Sequence, residues 1–328
     1  MLKEEVLSML LNAQEPVSGE GICKTFGVTR AAVWKTIDQL RQEGYGIDAA
    51  PKRGYTLASV PDRLDTALVR AHLSGHPWQT LGTAVPSVDS TNNACKRLAA
   101  EGAPDGTAIL TGCQTAGRGR RGRTFVSPPG GLYFSVILRP HAKPEALMHL
   151  TAMVAVAAAR AVFAVSGVYP DIKWTNDLVL GGKKLCGILT ELELEAETGE
   201  PSAVIAGIGI NVGQTDGDFG PALSRVATSL EQELGSPVRR ADLAVCLLRA
   251  LDDMYAAFPA AKADYLAEYR ARCVTTGHEV YLVRGEERLP AFAESVDEDF
   301  ALLCRMPDGS RRRVTAGEVS VRGLMGYV

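Results

Sequence analysis

The run Gln114-Thr115-Ala116-Gly117-Arg118-Gly119-Arg120-Arg121-Gly122-Arg123 places four arginines and three glycines within residues 117–123. Glycine lets the backbone approach a bound group closely and change conformation at low steric cost. Arginine presents a fixed fork of donors that suits phosphate oxygens. Together they describe a mobile loop that closes over a polyanion. The spacing is not GxxxxGK[ST], so the run is not a P-loop. Nor is it a disordered Arg-Gly tail, because it sits mid-domain with Phe125 and Tyr133 just after it.

Outward from this loop, strand-like runs at 108–111, 132–138, 171–174, 185–194 and 203–212 alternate with helical runs at 92–100, 145–165, 240–258 and 262–272. Residues 214–239 read as loop with a short helix. The alternation predicts one α+β or α/β domain over 61–275. Residues 276–328 carry short alternating strands separated by turn signals such as Asp308-Gly309, the pattern of a small β-barrel.

Three further clusters in the central domain carry chemistry. Ser90, Thr91 and Asn92 precede a helix that any of them can cap; the free N–H groups there favour a polar or anionic ligand, while plain capping is the commoner reading of the cluster taken alone. In the second cluster, 173–189, Gly181-Gly182 reads as a hairpin turn between two strands. Ile188, Leu192 and Leu194 share one strand parity, Glu191, Glu193 and Glu195 the other. With the glutamates facing water, Lys184 falls on the covered face, where an anionic ligand is its natural partner; the alternative is fraying, a local bulge near the turn exposing Lys184 to solvent. In the third, Gly207 and Gly209 leave one strand face bare, which suits a flat ligand lying on the sheet.

Residues 1–60 differ in texture. One helix presents Val6, Leu7, Leu10 and Leu11 on a single face, Ser18 caps a second, and Thr29 caps a third with Val33, Ile37 and Leu40 inward. A turn-rich pair of strands follows, with Lys52 and Arg53 at its tip. This is the order of a winged helix-turn-helix, whose third helix enters the major groove while the wing touches phosphate. Arg30, Ala31, Trp34, Lys35, Lys52 and Arg53 are the expected DNA contacts. A small helical dimerisation module is the alternative.

Composition bounds the rest. At 328 residues the chain holds two or three domains, and 46% apolar with 22% charged residues excludes a disordered chain. Thirty-five Lys and Arg against 38 Asp and Glu give a net charge of −3, which excludes a uniformly basic coat but not a local basic patch. The apolar stretch 148–165 is interrupted by His149, Thr151 and Arg160, so it reads as a buried helix rather than a membrane span, and the N-terminus is not a secretory signal. The seven cysteines form no CxxC pair, which argues against structural zinc and a disulfide framework and for a cytoplasmic setting. No Ser-His-Asp or HExxH arrangement offers a general base, so catalysis falls to electrostatics.

The ordered set Ser90-Thr91-Asn92, 114–123, Lys173–Asp177, 184–189 and 207–211 resembles the biotin protein ligases. The added N-terminal module resembles their bifunctional bacterial members, which also repress the biotin operon. The resemblance implies an α+β chain in three parts: a winged helix-turn-helix at 1–60, a mixed α/β catalytic domain of the biotin/lipoate ligase type at 61–275, and an SH3-like β-barrel at 276–328. It implies that biotin and Mg²⁺–ATP react to biotinyl-5′-AMP, with no tightly bound metal, and that biotin passes to a lysine of the biotin carboxyl carrier protein of acetyl-CoA carboxylase. Operator DNA and a homodimer formed when the adenylate is bound are further implied partners. By resemblance Ser90, Thr91, Asn92, Gln114, Arg118, Gly119, Arg120, Arg121, Lys184, Gly187 and Gly209 bind biotin and adenylate; Lys184 and Arg118 carry the catalysis. Two positions depart from the family pattern. Thr175 stands where the family often has Pro, which would loosen the loop bearing Asn176 and Asp177, and Phe125 stands where it often has Trp. A lipoate or octanoate ligase, and a ligand-sensing repressor without ligase activity, remain as alternatives.

Overall fold

The N-terminal helices α1 (Leu2–Asn12), α2 (Gly19–Phe26) and α3 (Arg30–Gln42) begin where the sequence supplies caps. Ser18 accepts from the Gly21 amide, and Thr29 from the Ala32 amide at 3.2 Å. Gly27 ends α2 at φ 64°, a left-handed conformation that glycine adopts without a Cβ penalty. Strands β1 (Gly46–Ala50) and β2 (Gly54–Ser59) pair as an antiparallel ribbon. The computed structural model describes residues 2–50, 53–73, 76, 78, 82–195, 197–284, 286–315 and 320–323; the predicted contact Lys52 lies outside them.

Val6, Leu7, Ile22, Val33, Ile37 and Leu40 form the core of this module. The helix α4 (Thr66–His72), which the sequence pattern does not announce, completes it: Ala67 and Leu68 enter this core, while Val69 joins the central one. One short helix therefore belongs to both packing units.

The central sheet contains β3 (Gly82–Ala84), β4 (Ala108–Thr111), β5 (Leu132–Leu138), β6 (Asp171–Lys173), β7 (Asp177–Leu180), β8 (Lys183–Leu194) and β9 (Pro201–Ile210), in the order β3-β4-β5-β9-β8-β7-β6. Only β3 and β4 run parallel. Helix α5 (Thr91–Ala100) covers one face, burying Cys95 against Ile109, Ile137 and Ile205. The predicted helix at 145–165 divides into α6 (Pro144–Leu147) and α7 (Leu150–Ser166), and α7 covers the other face. All seven residues of β5 are buried, as befits a strand covered on both sides. The span Pro144–Ser166 is long and apolar enough to cross a membrane by composition, yet it is 67% buried inside the protein.

The region read as loop with one short helix holds two, α8 (Asp216–Leu223) and α9 (Leu230–Leu234). They are followed by α10 (Arg240–Ala256) and α11 (Lys262–Arg272). The last strands, β10 (Glu279–Arg284), β11 (Glu287–Val296), β12 (Leu302–Arg305), β13 (Arg311–Val314) and β14 (Ser320–Gly323), form an antiparallel sheet in the order β13-β12-β11-β10-β14. Its inner residues Val280, Ala293 and Leu302 merge with the central core.

Candidate active site

Residues 114–127 form a hairpin-like loop rather than an open flap. The Gln114 amide donates to Ser127 O at 3.1 Å, the Phe125 amide to Gly117 O at 2.9 Å and the Gly119 amide to Arg123 O at 2.7 Å. Gly117 allows this close crossing: a Cβ there would lie 2.3 Å from Phe125 O. Arg121 takes the left-handed conformation at φ 57° at the exposed tip.

The loop folds its own Phe125 onto the sheet. A Cβ on Gly209 would lie 2.5 Å from the Phe125 ring, and one on Gly187 2.8 Å from it. A Cβ on Gly207 would lie 1.8 Å from Asn92 Oδ1. The bare glycine strip expected from the sequence is thus partly roofed by two side chains of this chain. Beside them remains a small cleft with about 280 Å³ of open space to its mouth, lined by Ser90, Thr91, Asn92, Gln114, Arg118, Phe125, Gly187, Leu189, Gly207, Ile208 and Gly209.

Seven predicted site residues therefore meet in one cleft. Gly119, Arg120, Arg121 and Lys184 do not line it. Arg120 Nη1 donates to Asn176 Oδ1 at 2.9 Å and so ties the loop to the 174–177 turn; burial pulls its guanidinium below the usual range, opposed by Asp177. Lys184 Nζ lies 5.6 Å from the centre of the Phe125 ring and 2.8 Å from Asp177 Oδ1. Lys184 therefore borders Phe125, which does line the cleft.

Ser90 opens α5 without a side-chain capping bond. Gln114 Oε1 instead accepts from the Thr91 amide at 2.8 Å. Asn92 is fully engaged: Nδ2 donates to Leu189 O at 3.2 Å and to Glu191 Oε2 at 2.9 Å, while Oδ1 accepts from the Ser135 hydroxyl at 2.6 Å. Because both Nδ2 partners only accept, the amide orientation is fixed. Asn92 works as a strut above Gly207 rather than as a donor facing a ligand.

Strand β8 corrects the parity argument. Glu191 and Glu193 do not face water: Lys96 of α5 bonds both carboxylates at 2.9 Å. Leu192 and Leu194, expected to be covered, are 46% and 57% exposed. Helix α5 covers the glutamate face. A bulge near the turn is present, but it does not expose Lys184: the ammonium is held between Asp177 and the Phe125 ring. The β7–β8 register shifts between Leu178, opposite Cys186, and Val179, opposite Lys184. The extra residue, Leu185, moves Lys184 onto the face of Gly187, whose Cβ would lie 3.1 Å from Lys184 Cε.

The 174–177 turn is well tethered despite Thr175. Tyr269 OH donates to Thr175 O at 3.0 Å, the Trp174 amide to Thr275 Oγ1 at 2.9 Å, and Trp174 Nε1 to Phe300 O at 2.8 Å. The Thr175 hydroxyl itself is buried without a hydrogen-bond partner among the described residues. The sequence names neither Ser127 nor Ser135, which bond Gln114 and Asn92; for Glu191 the signal is present in the Leu-Glu alternation, which places it on the wrong face.

In the N-terminal module, Arg30, Ala31, Trp34, Lys35 and Arg53 are exposed, Trp34 at 61%. Arg41, also on α3, is exposed yet tethered: Nε and Nη2 donate to Ile47 O at 2.9 and 2.6 Å and fasten α3 to the wing. Among the described residues, no three His, Cys, Asp or Glu side chains converge as a metal site.

The family model for the Biotin/lipoate A/B protein ligase family matches residues 84–211, and that for an HTH domain residues 3–56. The chain is 37% identical over 256 residues to the bifunctional ligase/repressor BirA of Bacillus subtilis (strain 168), covering 77% of this chain and 78% of that protein. It is 31% identical over 327 residues to the bifunctional ligase/repressor BirA of Escherichia coli (strain K12), covering 97% and 96%. Among solved structures, the biotin protein ligase from Aquifex aeolicus in complex with biotin and ATP superposes with a TM-score of 0.64 at 28% identity, covering 74% of this chain and 99% of that one.

Proposed function

This chain belongs to the biotin protein ligases, among their bifunctional ligase/repressor members, and on that premise we propose how its parts divide the work. The protein is an ATP-dependent biotin protein ligase that forms biotinyl-5′-AMP and transfers biotin to a carboxylase carrier, and it is a DNA-binding repressor through its HTH domain. The residue roles below are our reading.

In the first half-reaction a carboxylate oxygen of biotin attacks the α-phosphorus of ATP, and pyrophosphate leaves with the electron pair of the broken P–O bond. The obstacle is mutual repulsion: two unit charges 4 Å apart cost about 4 kcal/mol at an effective dielectric of about 20. Arg118 at the cleft and Lys184 behind Phe125 supply the opposing charge. Lys184 stabilises charge building on the phosphate, Arg118 retains the adenylate, and Arg120 holds the loop against Asn176. Arg121 and Gly119 shape the loop tip. Magnesium, on this reading, arrives on the triphosphate. In the second half-reaction the lysine ε-amine of the biotin carboxyl carrier protein attacks the acyl carbon, AMP leaves, and the amine proton passes to solvent. Loop closure over the mixed anhydride keeps water out until then.

The observation that carries this reading is the convergence of the glycine-arginine loop, the α5 N-terminus and the β8–β9 glycines on one cleft, with Lys184 beside the Phe125 ring that lines it. The test is incubation with ATP and, separately, biotin, lipoate or octanoate, followed by transfer to an isolated carrier domain. Adenylate and transfer with biotin are expected. Adenylate with lipoate or octanoate alone favours the related ligases, and biotin binding without pyrophosphate exchange favours a non-catalytic sensor; either overturns the proposal.

For repression, we assign 1–60 to operator DNA, 61–275 to the ligase reaction and 276–328 to the C-terminal sheet that holds Trp174 through Phe300. Biotinyl-5′-AMP acts as corepressor by ordering the loop and lowering the entropy cost of a homodimer that spans two half-sites. The part of β8 beyond its pairing with β7, carrying exposed Leu192 and Leu194, suits that pairing. We place the protein in the cytoplasm, where ATP and carrier are met.

A further inference from the structure

Glu191 is the most heavily engaged carboxylate near the cleft. Its side chain is 16% exposed and Arg118's is 41% exposed. Oε1 accepts from Lys96 Nζ at 2.9 Å and lies 3.0 Å from Arg118 Nη2; Oε2 accepts from Asn92 Nδ2 at 2.9 Å and lies 3.4 Å from Arg118 Nη1. Burial pushes the carboxyl upward, but the hydrogen bonds from Asn92 and Lys96 more than offset it and hold Glu191 below the usual carboxylate range. Arg118 has one further partner, Asn93 Oδ1, at 2.8 Å. The guanidinium reserved for the ligand is thus already paired with an anion in the free protein.

Resting on the ligase reading, we propose that Glu191 is a positioning residue: it seats Arg118 at the cleft until the phosphate of the adenylate displaces it. A ligand that takes Arg118 must break the Arg118–Glu191 pair, so that pair subtracts from its apparent affinity. A ligand without a negative charge at that point leaves the pair intact and feels no such cost. Glu191 thereby sets the contrast between the charged adenylate and neutral biotin derivatives.

The test compares equilibrium binding of a hydrolysis-resistant biotinyl-adenylate analogue and of neutral biotinamide to the full-length protein. Glu191→Gln removes the charge and keeps one acceptor oxygen, which serves Asn92 or Lys96 but not both in their present places. It is expected to tighten adenylate binding about two- to fivefold, the span of a partly exposed ion pair, and to leave biotinamide unchanged. In an Arg118→Gly background the same substitution is expected to have no effect. Asn93→Ala, which removes Arg118's other tether without touching Glu191, moves adenylate affinity in the same direction and keeps the test open should Glu191→Gln fold poorly. Glu193→Gln, which touches Lys96 alone, is expected to be neutral. Equal shifts for the two ligands, or the same shift with and without Arg118, reduce Glu191 to a structural support and overturn the proposal. Wild-type protein that binds the analogue but shows no Glu191 effect defeats this inference alone; wild-type protein that forms no biotinyl-adenylate defeats the ligase reading as well.

Discussion

On the proposed reading the chain presents cations to phosphate in two places, and it holds them differently. On α3 the cations stand in water. Arg30 has an 84% exposed side chain whose nearest carboxylate, Glu20, lies 3.9 Å away and is itself 68% exposed. In and beside the cleft three cations have fixed partners: Arg118 with Glu191, Arg120 with Asn176 and Lys184 with Asp177. Exposed cations act collectively through displaced counterions, and no single one is decisive. Preorganised cations beside a reacting phosphate act one by one, because their geometry is set before the charge develops. The first region should therefore respond to mutation in small, salt-dependent steps, and the second in large, local ones.

The largest test of that contrast is Lys184→Met, which keeps the length of the side chain and removes the ammonium. Biotin-dependent pyrophosphate exchange is expected to fall about 10²- to 10³-fold, with little change in operator binding by the apo protein. A fall of less than about tenfold means that Lys184 is only one of several interchangeable charges, as on α3, and the contrast fails. Next in size is Arg118→Gly. Loss of a charge-assisted contact to the adenylate is expected to speed its escape roughly tenfold or more, read as biotinyl-adenylate in the filtrate of a spin column. Retention equal to wild type removes Arg118 from that role.

The two regions were also unequally legible in the sequence. The helices of the reader could be placed because a helical face depends on local spacing: Val33, Ile37 and Leu40 recur as a stripe, and Ser18 and Thr29 cap as expected. Strand faces depend on what covers them. The parity of β8 gave the wrong side for Glu191 and Leu192 because nothing local says that α5 lies over the glutamates, and one bulge at Leu185 reverses the side on which Lys184 emerges. Lys184 therefore emerges on the face of Gly187, opposite to the one that parity assigns it. The residues of the cleft could be gathered from the resemblance, but Phe125 as its inner wall and Asn92 as a strut depend on contacts between segments about 60 to 115 residues apart, and strand propensity does not record these.

On the reader, Arg30→Ala is expected to lower operator affinity about tenfold at low salt, to reduce the dependence of log K on log salt by roughly one unit if the contact is to phosphate, and to leave biotin transfer untouched. Fluorescence anisotropy across a salt series measures all of this except transfer. Should one such change abolish binding at every salt concentration, Arg30 reads a base edge in the groove, and the reader is more like the cleft than its exposure suggests.

The smallest expected effect separates the folding of the reading helix from its charge. Thr29 Oγ1 accepts the Ala32 amide at 3.2 Å on an exposed helix start, immediately before Arg30. Thr29→Ala removes the cap without altering any charge, and a lost cap costs about 1 kcal/mol. Because the α3 core residues pack with Ala67 and Leu68 of α4, most of that helix is held by its neighbours, and the loss falls on its first turn. Amide exchange at Ala31–Val33 is expected to quicken about fivefold, operator affinity to drop less than twofold, and pyrophosphate exchange to stay constant. If instead the ligase activity falls with it, α4 transmits the state of the reader to the cleft, and the two regions are one cooperative unit rather than two separately organised ways of meeting a phosphate.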